Sequence, residues 1–459
     1  MKHLFFVGIA GHAMRGLAYA AQQSGNQVTG LDVPATSPGS DWLDEHGLVW
    51  TNISSPALLD GVDEVIISGG TAASDPILVE AAKRGLPVIS FAEFLGKLTK
   101  DKRVISVAGS HGKTTTTAFI TWLLESAGRQ PDFLIGIQPF NFDSSARLVG
   151  SDIVVIEGDE YRASTLDERS KLQFYHPDVL VLTSVEMDHP DVFADLAAVK
   201  ARFAEVIAAM PPNGHLIAWS DSAAVTELAA HAKAPVVLYG LQSGSVVGRN
   251  ISYTATGIEF DLEIDGHVLG RLAVPLFGRH NVLNSLAAAA VAIGEGLRFG
   301  DIAAGAATFK GAYRRFNVVS MPTSPVTVID DYAHHPTEVA ATIQAAKLHF
   351  AGRRVVAIFR PHTYSRTKTL LHEFQHAFGE ADKAYITGIE GAREAGQEAS
   401  VSGADVATGI GASTTYEPDR AKLVETVIAD AKAGDVILCM TVSGYDKLSG
   451  ELAQRSAGL

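Results

Sequence analysis

Short apolar runs alternate with helix-length stretches over the first hundred residues. The apolar runs cover residues 3–7, 27–32, 65–70 and 87–90. The helical stretches run from the first turn to about residue 23, and from about residue 76 to residue 84. Strands that alternate with helices are typical of a parallel sheet with helices on both faces. The pattern therefore predicts one small α/β unit over residues 1–99.

The same alternation continues in two further units. Apolar runs predict strands at 104–107, 153–156, 179–182, 326–329, 355–359, 383–386 and 436–439. Helices are predicted at 116–127 and 281–294, and the alternation around a turn in 250–277 predicts a small antiparallel hairpin. A charged segment at 100–103 and a junction near 317 separate the units. We therefore expect an α/β protein with domains at 1–99, 100–316 and 317–459.

A glycine-rich turn follows the strand predicted at 104–107 and opens a helix. Residues 107–118 read VAGSHGKTTTTA. Gly109 and Gly112 allow close approach of the backbone, Lys113 supplies a positive charge, and the Thr114 hydroxyl suits Mg²⁺. The pattern departs from the usual phosphate-loop consensus, because Val107 stands where that consensus has glycine. The alternative is a helix start with a surface lysine, but the strand and helix context favours a nucleotide phosphate.

The first turn of the chain also carries glycines. Gly8, Gly11 and Gly16 follow the first strand, and Asp32 ends the second. The spacing differs from the dinucleotide fingerprint, so it is weak support for NAD. It favours an anion, such as a diphosphate, at this helix N-terminus. The alternative is a tight turn without a ligand.

Polar clusters follow several predicted strands, where ligands bind in α/β sheets. Glu157 is placed to coordinate Mg²⁺, whereas Asp159 and Glu160 could belong only to a solvated turn. Residues 184–190 bring His189 to a second metal position or a substrate clamp. Residues 330–337 and 359–367 supply acids, histidines and arginines in the third unit.

Two residue groups near the second junction suit a nucleotide. Asn281 either reads an adenine edge or only caps its helix. Arg314 and Arg315 could reach a γ-phosphate when the domains close.

Composition narrows the function classes. The net charge of −14 argues against unspecific nucleic-acid binding. The single cysteine, Cys439, excludes an internal disulfide and fits a reducing compartment. No apolar run approaches the ~20 residues that span a bilayer. The first apolar run is too short for a signal peptide, so we expect a cytoplasmic protein that binds neither membrane nor nucleic acid.

The motifs occur in an order that resembles the Mur ligases, the ATP-dependent amide-forming enzymes of peptidoglycan synthesis. They read GSHGKTT at 109–115, EGDEY at 157–161, EMDH at 186–189, HNVLN at 280–284, RRF at 314–316 and DYAHHP at 331–336. The family implies a UDP-binding Rossmann-like domain, a central P-loop ATPase-like domain and a Rossmann-like C-terminal domain. It also implies ATP and Mg²⁺, with a substrate carboxylate converted to an acyl phosphate that an amine then attacks.

The resemblance implies roles for individual residues. The ATP contacts would be Gly109, Ser110, Gly112, Lys113, Thr114, Thr115, Asn281, Arg315 and Asp331. The UDP-substrate contacts would be Gly8, Gly11, His12, Asp32 and Ser68. Lys113, Glu157 and His189 would be catalytic, and the metal ligands would be Thr114, Glu157 and His189. The amino substrate would lie at Tyr332, His362 and Arg366.

The substrates implied by the resemblance are UDP-N-acetylmuramate and an amine. The first turn is similar to the branch that acts on UDP-N-acetylmuramate itself. The last domain is similar to the branch that uses L-alanine, which is the amine we expect. The central segment 157–182 is closer to the branch that attaches the tripeptide L-Ala-γ-D-Glu-diaminopimelate in cell-wall recycling. Two other classes stay open, a NAD-dependent oxidoreductase and a non-catalytic nucleotide-binding protein. The oligomeric state is left open.

Overall fold

The chain folds around three separate large sheets. The computed structural model describes residues 1–33, 39–190, 192–392, 394, 396, 400–442, 445 and 447–459, with the backbone but not the side chain of His12. The sheets have five, ten and six strands, and a two-stranded ribbon lies apart from them. The predicted α/β class with three units is therefore confirmed, while the exact domain limits stay predictions.

The first sheet is parallel throughout, with the order β3-β2-β1-β4-β5. This is the strand order of a Rossmann fold. Strand β1 is buried because its run of large apolar residues lies between helices on both faces. The elements are β1 (His3–Val7), α1 (His12–Gln23), β2 (Gln27–Leu31), α2 (Gly39–Glu45), β3 (Val49–Thr51), a 3₁₀ helix (Pro56–Leu59), β4 (Glu64–Ile67), α3 (Pro76–Arg84), β5 (Val88–Ser90) and α4 (Phe91–Thr99).

The second sheet has ten strands in the order β17-β16-β15-β14-β13-β12-β6-β9-β7-β8. Strand β6 lies between β12 and β9, so the turn that follows it opens at the middle of the sheet. The elements are β6 (Arg103–Ala108), α5 (Lys113–Ser126), β7 (Asp132–Leu134), β8 (Ala146–Arg147), β9 (Ile153–Glu157), β10 (Arg162–Ser164), β11 (Asp167–Ser170), a 3₁₀ helix (Lys171–Phe174), β12 (Val179–Leu182), α6 (Leu196–Ala209), β13 (His215–Trp219), α7 (Ala223–Ala229), β14 (Val236–Gly240), β15 (Val246–Thr254), β16 (Gly257–Ile264), β17 (His267–Val274), α8 (Arg279–Gly294) and α9 (Phe299–Thr308).

The third sheet has the order β18-β19-β23-β20-β21-β22, and β18 pairs antiparallel at its edge. The remaining neighbours are parallel. The elements are β18 (Asn317–Val318), β19 (Thr327–Asp331), α10 (Pro336–His349), β20 (Val355–Phe359), α11 (Tyr364–Thr369), α12 (Leu371–His376), β21 (Lys383–Ile386), α13 (Gly403–Ile410), β22 (Thr414–Tyr416), α14 (Arg420–Asp430), β23 (Val436–Met440) and α15 (Leu448–Ser456).

Two sequence predictions need correction. Helix α5 begins at Lys113 rather than at residue 116, because Gly112 in the left-handed region already turns the chain into the helix. The segment predicted as a small hairpin is part of a three-stranded antiparallel extension of the large sheet, formed by β15, β16 and β17. Among the described helices, none combines the length and hydropathy needed to cross a membrane.

Small residues let the first two units pack closely. A Cβ on Gly16 would lie 2.5 Å from the Cβ of Ala146, and one on Gly96 would lie 2.1 Å from the carbonyl oxygen of Phe174. One apolar core cluster contains residues of both units, from Leu4 to Ala234. The first two units therefore form a joint base against which the third is placed.

Replacement of Phe119 by alanine tests the core of the central unit. Phe119 is fully buried on α5 and stacks on Phe309 with ring centroids 4.4 Å apart. Phe119→Ala should destabilise this unit by about 3–5 kcal/mol, because it leaves a large cavity. Thermal unfolding followed by circular dichroism measures the loss. Phe140→Ala, at a ring that is 46% exposed, is the matched control and should change the midpoint much less; equal shifts would contradict the assignment.

Candidate active site

The turn after β6, residues 109–112, is shaped by glycine; it is the predicted phosphate-binding turn and is called the phosphate loop below. Gly109 and Gly112 have φ of +131° and +80°. A Cβ on Gly109 would lie 2.3 Å from the Thr183 hydroxyl, and one on Gly112 would lie 2.6 Å from Asn284 Oδ1. Within the described residues, no side chain caps the N-terminus of α5, which leaves its first N–H groups available to a ligand. Such a terminus favours an anion.

The ammonium of Lys113 is held inside this loop. Its Nζ donates to the carbonyl oxygen of Gly109 at 2.6 Å and lies 3.0 Å from Glu160 Oε2. Burial alone would lower the pKa of Lys113, but the carboxylates of Glu160 and Asp159 outweigh it and raise the pKa. Glu160 is only 3% exposed, so the reading of this acid as part of a solvated turn is wrong. Lys113 therefore keeps its charge next to the phosphate loop.

Thr114 and Glu157 form a pair of oxygen donors beside Lys113. The Thr114 hydroxyl donates to Glu157 Oε1 at 2.7 Å, and Gly136 N donates to Glu157 Oε2 at 2.6 Å. Hydroxyl and carboxylate oxygens are the ligands that Mg²⁺ prefers. The residue types and their adjacency thus fit a magnesium site next to the phosphate loop.

His189 lies close to Glu160, the partner of Lys113. Its Nε2 is 3.5 Å from Glu160 and 3.4 Å from Asp188, and its Nδ1 contacts the Tyr161 hydroxyl. Burial, together with the nearby charges of Arg366 and Lys113, lowers the pKa of His189 to about 3. The imidazole is therefore neutral and able to act as a ligand or a hydrogen-bond partner.

A cleft lies between the central unit and the third unit. Trp219 and Tyr239 contribute aromatic surface to it. Both polar atoms of the Asn281 side chain bond inside the protein, since Nδ2 donates to Phe277 O at 2.7 Å and Oδ1 accepts from Asn284 at 2.9 Å. The cleft has the mixed apolar and polar lining of a nucleotide pocket.

Asp331, which ends β19, and Arg315, at the junction of the central and third units, line another side of this cleft. The Asp331 carboxylate accepts the backbone N–H of Phe316 and of Ala333, each at 2.7 Å. Burial raises the pKa of Asp331 to about 6 despite the nearby charge of Arg315. Arg315 also lies with its guanidinium 5.4 Å from the ring centroid of Tyr332.

A second cavity lies on the other side of the phosphate loop. It is lined by residues of all three units, including Phe91, Lys113, Glu157, His189 and Arg366. The two cavities share His111, Gly112, Thr114, Arg315 and Glu338 as lining residues. A group bound in one cavity can therefore reach a group bound in the other at the phosphate loop.

The residues expected at the amino substrate lie together in this second cavity. Arg366 places Nη1 3.1 Å from His362 Nδ1 and Nη2 3.0 Å from His189 Nδ1, while its Nε donates to Asp188 at 2.8 Å. Tyr332 lines the same cavity. The structure thus connects the predicted amine residues to the predicted metal residues.

The residues expected at the UDP substrate form the first turn of the N-terminal sheet. Gly8 has φ of +81°, and a Cβ there would lie 3.1 Å from the Ser68 hydroxyl. Asp32 Oδ2 accepts the backbone N–H of Ala10 at 2.8 Å, so this carboxylate folds back onto the turn. Gly11 closes the same turn through its N–H to Gly8 O at 3.2 Å. The side chain of His12 lies outside the described part of the chain.

His111 connects the phosphate loop to the third unit. Its Nε2 lies 3.5 Å from Glu186 Oε2, and its Nδ1 lies 3.3 Å from Glu338 Oε1. Burial alone would lower the pKa of His111, but the two carboxylates outweigh it and raise the pKa to about 10. The histidine is visible in the loop sequence. Its contacts with Glu186 and Glu338 could not be predicted, because both residues are far from His111 along the chain.

The aromatic residues Trp219 and Tyr239 were missed by the sequence analysis. They lie at the end of β13 and of β14, two strands that the apolar pattern did not separate from their surroundings. Recognition of those strands would have placed both rings at the carboxyl edge of the sheet.

Comparison with known proteins gives matches over nearly the whole chain. Residues 3–103 match the model described as Mur ligase family, catalytic domain. Residues 107–292 match the Mur ligase middle domain, and residues 314–441 match the Mur ligase, glutamate ligase domain.

Individual proteins are similar over comparable lengths. A UDP-N-acetylmuramate–L-alanine ligase of Rubrobacter xylanophilus is 35% identical over 98% of this chain and 99% of its own length. The structure of the UDP-N-acetylmuramate–alanine ligase of Thermotoga maritima has a TM-score of 0.80 at 22% identity, covering 99% of each chain, which shows a common fold. A UDP-N-acetylmuramate:L-alanyl-γ-D-glutamyl-meso-diaminopimelate ligase from Neisseria meningitides is 35% identical with a TM-score of 0.64, covering 68% of this chain and 100% of that one.

Three family models in succession and a full-length relative at 35% identity lead to one conclusion. The chain belongs to the Mur ligase family of ATP-dependent ligases.

Proposed function

We propose that this protein joins L-alanine to the carboxylate of UDP-N-acetylmuramate, with ATP hydrolysis, in peptidoglycan synthesis. The observation that carries the proposal is the phosphate loop between two cavities that share lining residues. One cavity suits a nucleotide, and the other is reached by residues of all three units. The full-length relative named for this reaction supports the choice of substrates. The single cysteine fits a cytoplasmic location.

The proposed ATP site uses the cleft lined by Asn281, Arg315 and Asp331, with Gly109, Ser110, Gly112, Lys113, Thr114 and Thr115 at the phosphates. Lys113 is suited to the β- and γ-phosphates because its charge is buried and preserved. Arg315 lines both cavities, so its guanidinium is placed to stabilise negative charge that develops on the transferred group.

Thr114 and Glu157 are proposed to hold Mg²⁺, with His189 at a second position. The ion would supply charge neutralisation during phosphoryl transfer. Glu157 is fixed for this role by the N–H of Gly136, and His189 is kept neutral by burial and by nearby cations. Glu160 balances the charge of Lys113 while the site holds no anion.

The proposed acid substrate enters from the N-terminal domain, where Gly8, Gly11, His12, Asp32 and Ser68 would hold its UDP group. Its carboxylate would take up the γ-phosphoryl group as an acyl phosphate in the second cavity. The amine, held at Tyr332, His362 and Arg366, would then attack the acyl carbon and release phosphate. Holding the reacting groups in one cavity lowers the entropic part of the barrier.

The tripeptide L-Ala-γ-D-Glu-diaminopimelate is the second candidate for the amine. The relative from Neisseria meningitides that is named for this substrate is as identical as the alanine-named relative, although over 68% of the chain. The L-alanine proposal rests on the alanine-named relative, whose 35% identity extends over 98% of this chain.

Phosphate release with the purified protein separates these amines. With ATP, Mg²⁺ and UDP-N-acetylmuramate present, L-alanine should support turnover with a higher kcat/KM than the tripeptide. A higher kcat/KM for the tripeptide would replace the first candidate by the second. If neither amine produced ADP, the protein would instead be a non-catalytic nucleotide-binding member.

Replacement of Lys113 tests the phosphate loop. Lys113→Ala should lower kcat by about 10²–10³-fold, because one preorganised cationic donor to the transferred phosphate is removed. Circular dichroism checks that the fold is retained. Lys200→Ala, at a lysine that pairs with the exposed Glu227, is the matched control and should keep wild-type turnover. Wild-type activity in Lys113→Ala would refute the assignment.

A further inference from the structure

A cluster of two histidines and a carboxylate lies at the seam between the central and C-terminal domains. His111 Nε2 is 3.5 Å from Glu186 Oε2, and His335 Nδ1 is 3.9 Å from the same oxygen. One ligand atom from each residue lies within 4.8 Å of the other two. The cluster is distinct from the donors at Thr114, Glu157 and His189, which line the second cavity.

The remaining ring nitrogen of each histidine faces an acceptor. His111 Nδ1 lies 3.3 Å from Glu338 Oε1, and His335 Nε2 lies 3.0 Å from the carbonyl oxygen of Met187. When these nitrogens carry the protons, the lone pairs of His111 Nε2 and His335 Nδ1 face Glu186. An imidazole whose second nitrogen donates to a carboxylate or a backbone carbonyl is the usual arrangement of a histidine metal ligand.

The nitrogen of His111 that faces the cluster is buried. Within the described part of the chain, His111 Nε2 has no hydrogen-bond partner, and its contact with Glu186 is electrostatic. Buried polar atoms normally have a partner, so this atom needs an explanation.

We propose that His111, Glu186 and His335 bind one divalent transition-metal ion of the zinc class, which bridges the central and C-terminal domains. Two imidazoles and one carboxylate suit Zn²⁺ or Co²⁺ and are poorly suited to Mg²⁺. Ligand atoms around a tetrahedral ion with 2.0 Å bonds lie roughly 3.3 Å apart. The distances from His111 Nε2 and from His335 Nδ1 to Glu186 Oε2 therefore need only small adjustment. A water would complete the coordination.

Thr337 makes the interactions that the ion would modify. Its hydroxyl donates to Glu186 Oε2 at 2.6 Å, and its N–H lies 3.3 Å from His335 Nδ1. The carboxylate can keep the hydroxyl bond, because its oxygens have several lone pairs. Binding would replace the long N–H contact and the electrostatic contact of His111 Nε2 with Glu186, and would release a proton from the histidines.

Cobalt absorption tests the site directly in the full-length protein. Co²⁺ is titrated into metal-free protein in the presence of saturating Mg²⁺, which occupies the oxygen-rich sites. One equivalent should produce the intense visible absorption of four-coordinate cobalt, and Zn²⁺ should remove it. Absence of that absorption in the wild-type protein would overturn the proposal, whatever reaction the enzyme catalyses.

Variants assign the absorption to the cluster. His335→Gln and Glu186→Gln should each abolish the intense band, while Glu338→Gln should weaken cobalt binding by about 10–100-fold through the orientation of His111. His280→Gln, which changes a histidine of the same cleft outside the cluster, and Glu157→Gln should both retain the band. Retention of the band in His335→Gln, or its loss in Glu157→Gln, would contradict the assignment.

Thermal unfolding tests the bridge between the domains. Because a ligand of the folded state raises the unfolding midpoint, Zn²⁺ should raise it in the wild-type protein and not in His335→Gln. His335→Gln without metal should unfold cooperatively, which shows that the variant is folded. An equal rise in both proteins would overturn the bridge.

Discussion

The buried ammonium of Lys113 is the charge around which the other parts of the site are arranged. Two carbonyl oxygens of the phosphate loop and the carboxylate of Glu160 surround it. A buried charge that loses its partner costs several kcal/mol, so the loop and the segment after β9 must stay together. Gly109 and Gly112 allow the backbone of the loop to lie close to Thr183 and Asn284. An anionic ligand that enters the loop meets a cation already in place, which lowers the reorganisation needed for phosphoryl transfer.

The cavity that contains Lys113 is lined by residues of all three domains. The N-terminal and central domains share an apolar core and pack through glycine and alanine, which makes their joint surface a stable base. The contacts of the C-terminal domain around the site are polar and include Arg366 with Asp188 and Thr337 with Glu186. Polar domain contacts exchange with water more readily than packed apolar ones. The C-terminal domain is therefore held at the site by contacts of a different kind from those that join the first two domains.

Much of the architecture could be predicted because it depends on patterns of residues that are close together in the sequence. Strands such as β12 and β20 are uninterrupted apolar runs, which are typical of buried parallel strands. The phosphate loop was visible since its glycines and lysine are adjacent in sequence. Strands β13 and β14 were missed, and Trp219 and Tyr239 were missed with them. Glu160 was left undecided because an acid in a polar turn is exposed in most proteins, and its burial depends on Lys113, 47 positions earlier in the chain.

The sequence by itself determined the class of fold, the position of the phosphate loop and the resemblance to one family, because each depends on residues that are close along the chain. Only the tertiary structure decided which charges are buried, which cavities share a wall and which histidines face one another. His111, Glu186 and His335 are separated by 75 and by 149 positions, and they meet because parallel strands of two domains direct their carboxyl ends to one seam. Such proximity arises from the packing of whole domains, which no local pattern encodes.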